Sequence, residues 1–165
     1  MSVLDRLAEP YWRYMRRIYA GGRPNAAARR LNRSAARSFA AGRYRTRDVT
    51  LEVVGRASGR VISLPIVMAD FEGHWYLVSM LGNDANWVRN VHAADGRAVI
   101  RRKSAREVVL RDVPVSERAP IIRRYLEVAP GGRPHIPVDR AAPLAEFEAI
   151  AADYPVFRID AITNG

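Results

Sequence analysis

The stretch "VVGRASGR" (residues 53–60) closes the apolar run "VTLEVV" (49–54) with two glycines and two arginines. A second run, "VISLPIVMAD" (61–70), starts at once on its far side. Two short β-branched runs joined by a glycine-containing break read as a β-hairpin. The break itself has two readings. One is an exposed turn whose charges keep it wet, the commoner outcome for such a stretch taken alone. The other is an anion cradle, because glycine lets phosphate oxygens come close to backbone N–H groups. Arg56 and Arg60 would then add charge-assisted, bidentate contacts.

Working outward, "HWYLVSM" (74–80), "AVIRRK" (98–103), "REVVLRDVPV" (106–115) and "VFRID" (156–160) are further short β-rich runs. Gly73 in "DFEGHW" and the "KSA" at 103–105 suit hairpin turns. Pro65 has no N–H to give a ladder, so its strand is expected at an edge or a bulge. Both alternating faces of "VISLPIVM" are apolar, which predicts a strand covered on both sides. Helices are expected at about 84–94, 117–128 and 143–152, with Asp84 and Ser116 as N-caps and Gly96 closing the first. Strands joined mostly by tight turns predict an antiparallel sheet or small barrel with peripheral helices, an α+β arrangement.

The N-terminal segment reads differently. Leu4, Leu7, Tyr11, Met15 and Ile18 recur three or four apart, as on one face of a helix, with Arg6, Arg13, Arg16 and Arg17 mostly off that stripe. Gly21 and Gly22 end it, and a second helix, rich in alanine and arginine, is expected over 25–41. The chain has 165 residues and a formal charge of +10. Residues 1–47 hold twelve arginines against Asp5 and Glu9, so this segment carries the whole excess and 48–165 is neutral. We therefore expect a basic helical arm (1–47) before one barrel domain (48–165). The arm either packs on the domain with solvated basic faces or lies on anionic lipid as a peripheral contact.

Composition narrows the function. With 48% apolar residues the chain can enclose a core. It has no cysteine, which removes thiolate catalysis, disulfides and cysteine-held metal. Arginines interrupt the N-terminal segment, so no secretory leader is expected, and a cytoplasmic protein fits. His74, His92 and His135 are widely separated and offer no metal-binding spacing. The run "RRKSAR" (101–106) reads as a charged strand edge. "APGGRPHIP" (129–137) reads as a loop, placed as a flap over a pocket.

A second constellation is "SMLGNDANWVRN" (79–90). Ser79 ends a strand, Gly82 breaks the chain and a helix follows, another natural place for an anion. Trp87 and Asn90 share a helix face, where an aromatic plane beside an amide can hold a planar ligand. A core tryptophan beside a surface amide is the plainer reading.

In this order, "GRxSG", the proline-containing strand, "WYLVS", the glycine loop and "NWxxN" resemble the deazaflavin-dependent nitroreductase family of actinobacteria. The likeness covers residues 47–115 and extends more loosely through "SERAPIIRRYL" to "YPVFRI". It implies a split β-barrel of the FMN-binding kind and hydride transfer from reduced coenzyme F-420 to a quinone, a nitro compound or a similar acceptor. By the resemblance, Arg56, Ser58, Gly59 and Arg60 hold the coenzyme's phosphate or acidic tail, and Pro65 lies along the deazaflavin ring. Ser79 corresponds to a catalytic-site serine, and Trp87 and Asn90 pack near the cofactor. Ala57 and Ile62 stand where the family's turns carry further basic residues, and Val67 stands where characterised nitroreductases often have tyrosine. Related barrels often dimerise, although no stretch here fixes a homodimer interface. Two other classes stay open at this level: a carrier of haem, FMN or lipid on the same barrel, and a nucleic-acid-binding protein using the basic arm.

Overall fold

The computed structural model describes residues 3–162, with side chains from residue 8 onward. Two helices, α1 (Val3–Ile18) and α2 (Ala26–Ala40), precede a single seven-stranded antiparallel sheet. Its strands are β1 (Asp48–Val54), β2 (Val61–Val67), β3 (Ala69–Phe71), β4 (His74–Val78), β5 (Arg97–Arg102), β6 (Ser104–Asp112) and β7 (Val156–Ala161). Helix α3 (Asn86–Ala93) links β4 to β5, while α4 (Val115–Val128) and α5 (Leu144–Ile150) lie between β6 and β7.

The strand order is β2-β1-β5-β6-β7-β4-β3. Strands β2 and β3 are therefore the two ends of the sheet, yet only Met68 separates them in the chain. A sheet whose opposite edges are joined by one residue must curl upon itself. Arg47 holds the corner: its carbonyl accepts from the Met68 N–H at 2.9 Å, and its guanidinium donates to the Met68 carbonyl and to Asp70. Arg124 of α4 binds Asp70 as well, and the Arg47 guanidinium lies 5.7 Å from the centre of the Trp75 ring. Together the two arginines hold the Asp70 carboxyl below its ordinary range, with the Arg47 bond the largest cause.

The curl separates two cores. Inside it, Leu51, Ile66, Leu77, Ile100, Val108 and Phe157 pack together and are closed off by Val88 and Val91 of α3. On the other face, Tyr76, Val78 and Val156 meet Ile122, Tyr125, Leu126 and Phe147 from α4 and α5. Neighbouring residues of β4 and β7 thus belong to opposite cores, the period of two that a strand imposes. Helix α2 lies against β1 and β2; the buried Thr50 hydroxyl donates to the Ala36 carbonyl at 2.6 Å. Ile18, Tyr19 and Ala28 form a third small cluster with Met15 and Leu81.

Several local expectations need correction. Strand β2 is an edge, as Pro65 requires, but it is not covered on both sides: Val61 and Ile62 are exposed. The hairpin tip runs past the stretch of β1 that pairs with β5. Asp84 does not cap α3, which begins behind Ala85 with no side-chain cap; the Asp84 carboxylate turns to Arg89. Ser116 does not cap α4, because that helix already starts at Val115 behind Pro114. Tyr11 leaves the apolar stripe of α1 and is 57% exposed; Leu4 and Leu7 lie outside the described side chains. None of the described helices is long and apolar enough to cross a membrane.

Gly96 closes α3 as expected, with its N–H on the Val91 carbonyl at 2.9 Å and φ at +79°. A Cβ there would stand 2.5 Å from the Leu110 carbonyl oxygen. Gly96→Ala should therefore cost about 2–4 kcal/mol, combining the left-handed penalty with a backbone clash. Urea denaturation checks this. Gly73→Ala, at φ +77° but facing open space, should show only about 1–2 kcal/mol.

Candidate functional site

The turn between β1 and β2 is built by its own backbone. The Gly55 N–H donates to the Arg60 carbonyl and the Gly59 N–H to the Gly55 carbonyl, both at 2.8 Å. Ser58 Oγ accepts from the Arg60 N–H at 3.2 Å. A Cβ on Gly55 would fall 2.7 Å from Ser58 Oγ and 2.8 Å from Ile62 Cδ1, so both side chains would have to shift to admit one. Gly59 instead faces open space at φ +67°.

One buried amide ties this turn to α3. Asn90 is 2% exposed, and its Oδ1 accepts from both the Arg56 N–H (3.2 Å) and the Arg56 guanidinium (2.8 Å). Asn86, one turn earlier, accepts a longer bond from the same guanidinium at 3.5 Å. The structure thus joins the two sequence constellations, with Asn90 as their link. Arg56 meets neutral amides and no carboxylate, and the Arg60 guanidinium has no partner among the described residues. Arg101, by contrast, is held by both oxygens of Glu52. Two uncompensated positive charges therefore sit on an exposed, glycine-opened turn.

The other candidates fall as follows. Trp87 is partly buried and its ring lies 5.5 Å from that of Phe157, so it packs into the inner core from α3. Pro65 lies opposite Thr50 in the outer strand. Ser79 is fully buried; its N–H donates to the Pro155 carbonyl and its hydroxyl to the Gly82 carbonyl at 2.8 Å. The serine thus shapes the loop that leads into α3.

That loop borders a cleft of about 410 Å³, where Met80, Leu81 and Gly82 face Tyr19, His135 and Tyr154. The cleft escaped sequence reasoning because its walls come from four distant segments. The 129–137 loop supplies His135 here. It also contributes Arg133, Pro134 and Ile136 to a second cleft of about 230 Å³ against Glu9, Trp12 and Arg16 of α1. The Tyr19 hydroxyl donates to Asn32, and its ring meets that of His135 edge-on at 5.3 Å. His135 Nε2 is buried without a partner among the described residues. Burial, and then the positive charge of Arg16, push its pKa down to about 4, so the ring is neutral near pH 7. The described residues hold no cluster of three metal-ligating side chains.

A family model described as F420H(2)-dependent quinone reductase matches residues 25–145, most of the chain. The chain belongs to this family. It is an F-420-dependent oxidoreductase on a split β-barrel, it acts on a small-molecule acceptor, and its cofactor is the deazaflavin. A comparison with curated proteins returned no match. Solved structures that share the fold include the following three. One is a protein of unknown function from Agrobacterium tumefaciens, at 13% identity and TM-score 0.53, covering 79% of this chain and 55% of that one. Another is a conserved hypothetical protein from Mycobacterium tuberculosis, at 15% identity and TM-score 0.52, covering 77% and 80%. The third is a candidate 5-nitroimidazole antibiotic resistance protein from Bacteroides thetaiotaomicron, at 7% identity and TM-score 0.50, covering 80% and 81%. At these identities the likeness concerns the fold alone.

Two outcomes are expected. Asn90→Ala strands the Arg56 donors and should lower the unfolding free energy by about 1–3 kcal/mol, measured by denaturant titration. His135 has a folded pKa depressed from its ordinary 6.5 to about 4. Between those values the unfolded chain takes up a proton that the folded chain refuses, so stability falls as pH drops through that window. Melting temperatures from pH 7 to pH 4 should fall less steeply for His135→Gln than for the native chain.

Proposed function

We propose that the protein reduces a quinone with reduced coenzyme F-420, binding the coenzyme's anionic end on the Gly55–Arg60 turn. The observation that carries this reading is the pair of uncompensated arginines on a turn fixed from behind by buried Asn90. The residues fit such a group. Arg60 has no competing partner among the described residues, Gly59 leaves its approach open, and Arg56 is already oriented by the two amides of α3. Charge-assisted bonds to a phosphate or carboxylate are the strong class of hydrogen bond, and a pre-set guanidinium loses little freedom in making them.

When bound, the reduced deazaflavin supplies a hydride to the acceptor, which takes up a proton as well to become a hydroquinone. The protein's part is placement. Helix α3 serves both ends: Asn86 and Asn90 brace the turn, and the loop leading into α3 borders the larger cleft. Ser79 holds that loop through Gly82 and acts as a positioning residue, while Trp87 anchors α3 to Phe157. Pro65, on the same hairpin as the turn, is assigned to the ring as the resemblance implies. The cleft beside Met80, Leu81 and His135 is assigned to the acceptor. Its mixed walls, a neutral imidazole among apolar and aromatic groups, suit an uncharged carbonyl compound. The barrel works in the cytoplasm, with the basic arm as its membrane contact.

Fluorescence titration with coenzyme F-420 tests the assignment. The native protein should bind it at micromolar strength, and Arg60→Ala should weaken binding about tenfold to a hundredfold, the loss of one or two charge-assisted bonds. An unchanged affinity would remove the turn from the site.

A further inference from the structure

We propose that the seam between α1 and the loop at 133–140 is a single acceptor trough. The larger cleft takes the quinone ring, and the smaller one takes an acidic substituent carried by the same molecule. This rests on the quinone-reductase reading and names the class of acceptor, an anionic quinone. The two clefts share their walls. Trp12, Arg16 and Tyr19 follow one another four and three residues apart, the first two on the smaller cleft and the third, just past α1, on the larger. The loop alternates in the same way, giving Pro134 and Ile136 to the smaller cleft and His135 between them to the larger. The positive charge of Arg16 is felt by His135 across that boundary.

Charge decides what the smaller cleft can hold. Glu9, Arg16, Arg133, Asp139 and Arg140 all border it. Arg16 is paired with Glu9, and Arg133 donates to the Leu126 and Glu127 carbonyls. Asp139 is exposed, and its Oδ1 accepts from the Ala141 N–H at 2.8 Å. Arg140 alone of the five has no hydrogen-bond or ion-pair partner among the described residues, although it is only partly exposed. A carboxylate is the group a guanidinium binds best, through two parallel bonds. Trp12, Pro134, Ile136 and Val138 add apolar surface beside it, which suits an acid on a hydrocarbon arm better than a bare ion. A purely hydrocarbon arm would strip water from Arg140 and give nothing back, which costs free energy. The ring itself stays uncharged in the larger cleft, beside His135.

A 1,4-naphthoquinone with a propanoate arm beside one carbonyl, compared with its methyl ester, tests this. The two share a ring, an arm length and a closely similar reduction potential. With reduced coenzyme F-420 and the native chain, kcat/KM for the acid should exceed that for the ester about tenfold, the worth of one charge-assisted bond. The difference should lie in KM, because the arm is held alike in the ground and transition states. Arg140→Gln should abolish the preference, and Arg140→Lys should restore part of it. The fold should tolerate both changes, since Arg140 holds no partner among the described residues, and native melting temperatures check this. Equal kcat/KM for acid and ester on the native chain would overturn the proposal. So would a loss in Arg140→Gln that falls equally on both compounds. Equilibrium dialysis of each compound against the native chain without coenzyme makes the same comparison in binding alone: tighter binding of the acid supports the trough, and equal binding overturns it. Failure of the native chain to reduce either compound would sink the quinone-reductase reading, and the dialysis result would then judge the trough by itself.

Discussion

The corner at Met68 is the constraint on which the rest of the molecule depends. Strands β2 and β3 are one run of chain with a single residue between them, yet each pairs at the opposite end of the sheet. Only a curled sheet satisfies both pairings. The curl gives the strands an inner face that Val88 and Val91 of α3 can close. It also throws the β1–β2 turn outward, within reach of α3. The Arg47–Asp70–Arg124 group at the corner is partly exposed, so its ion pairs contribute modestly. What fixes the bend is the backbone pairing of Met68 with Arg47 and the burial of Met68 and Ala69 beside it.

The site follows from that geometry by one further step. A turn carrying two arginines would wander if it stood alone. Asn90, buried on α3, accepts from both the backbone and the side chain of Arg56 and thereby converts the turn into a fixed feature. A buried amide oxygen is a demanding partner, since leaving either side unpaired is costly. The same bond that stabilises the fold therefore orients a positive charge toward solvent. Arg60 needs no such brace, because its backbone closes the turn through Gly55. Positions 57 and 62, where the resemblance led us to expect basic residues, hold Ala57 and Ile62, and the Ile62 Cδ1 lies beside Gly55. The turn thus carries two charges, those of Arg56 and Arg60.

Much of this architecture could be read from residues alone, and the exceptions share a cause. The strands, the edge position forced by Pro65, and the hairpins at Gly73 and Lys103 depend on local periodicity and turn chemistry, which a sequence displays directly. The covering of β2, the caps of α3 and α4, and the direction of Tyr11 depend on what lies next to them in space. The candidate site divides in the same way. The "GRxSG" and "NWxxN" stretches were visible, but their union through Arg56 and Asn90 required the curl. The cleft walled by Tyr19, Met80, Leu81 and His135 left no signal, because residues from distant parts of the chain meet there only after folding. His135 resembled any loop histidine until burial and Arg16 set it apart.

Charge is distributed with the same economy. Within the sheet most arginines near carboxylates are consumed: Arg101 by Glu52, Arg111 and Arg158 by Asp160, Arg45 by Asp48. Arg56 and Arg60 at the β1–β2 turn and most arginines of the first two helices meet no carboxylate among the described residues, and the partners proposed for them are an anionic coenzyme and an anionic surface. The central claim is that the turn recognises the charged end of the coenzyme and not its ring. Isothermal calorimetry with intact coenzyme F-420, and separately with its deazaflavin chromophore lacking the phosphate and acidic tail, tests this most directly. The account predicts that the chromophore alone binds at least tenfold more weakly and with little dependence on salt. Equal affinities for the two compounds would contradict it.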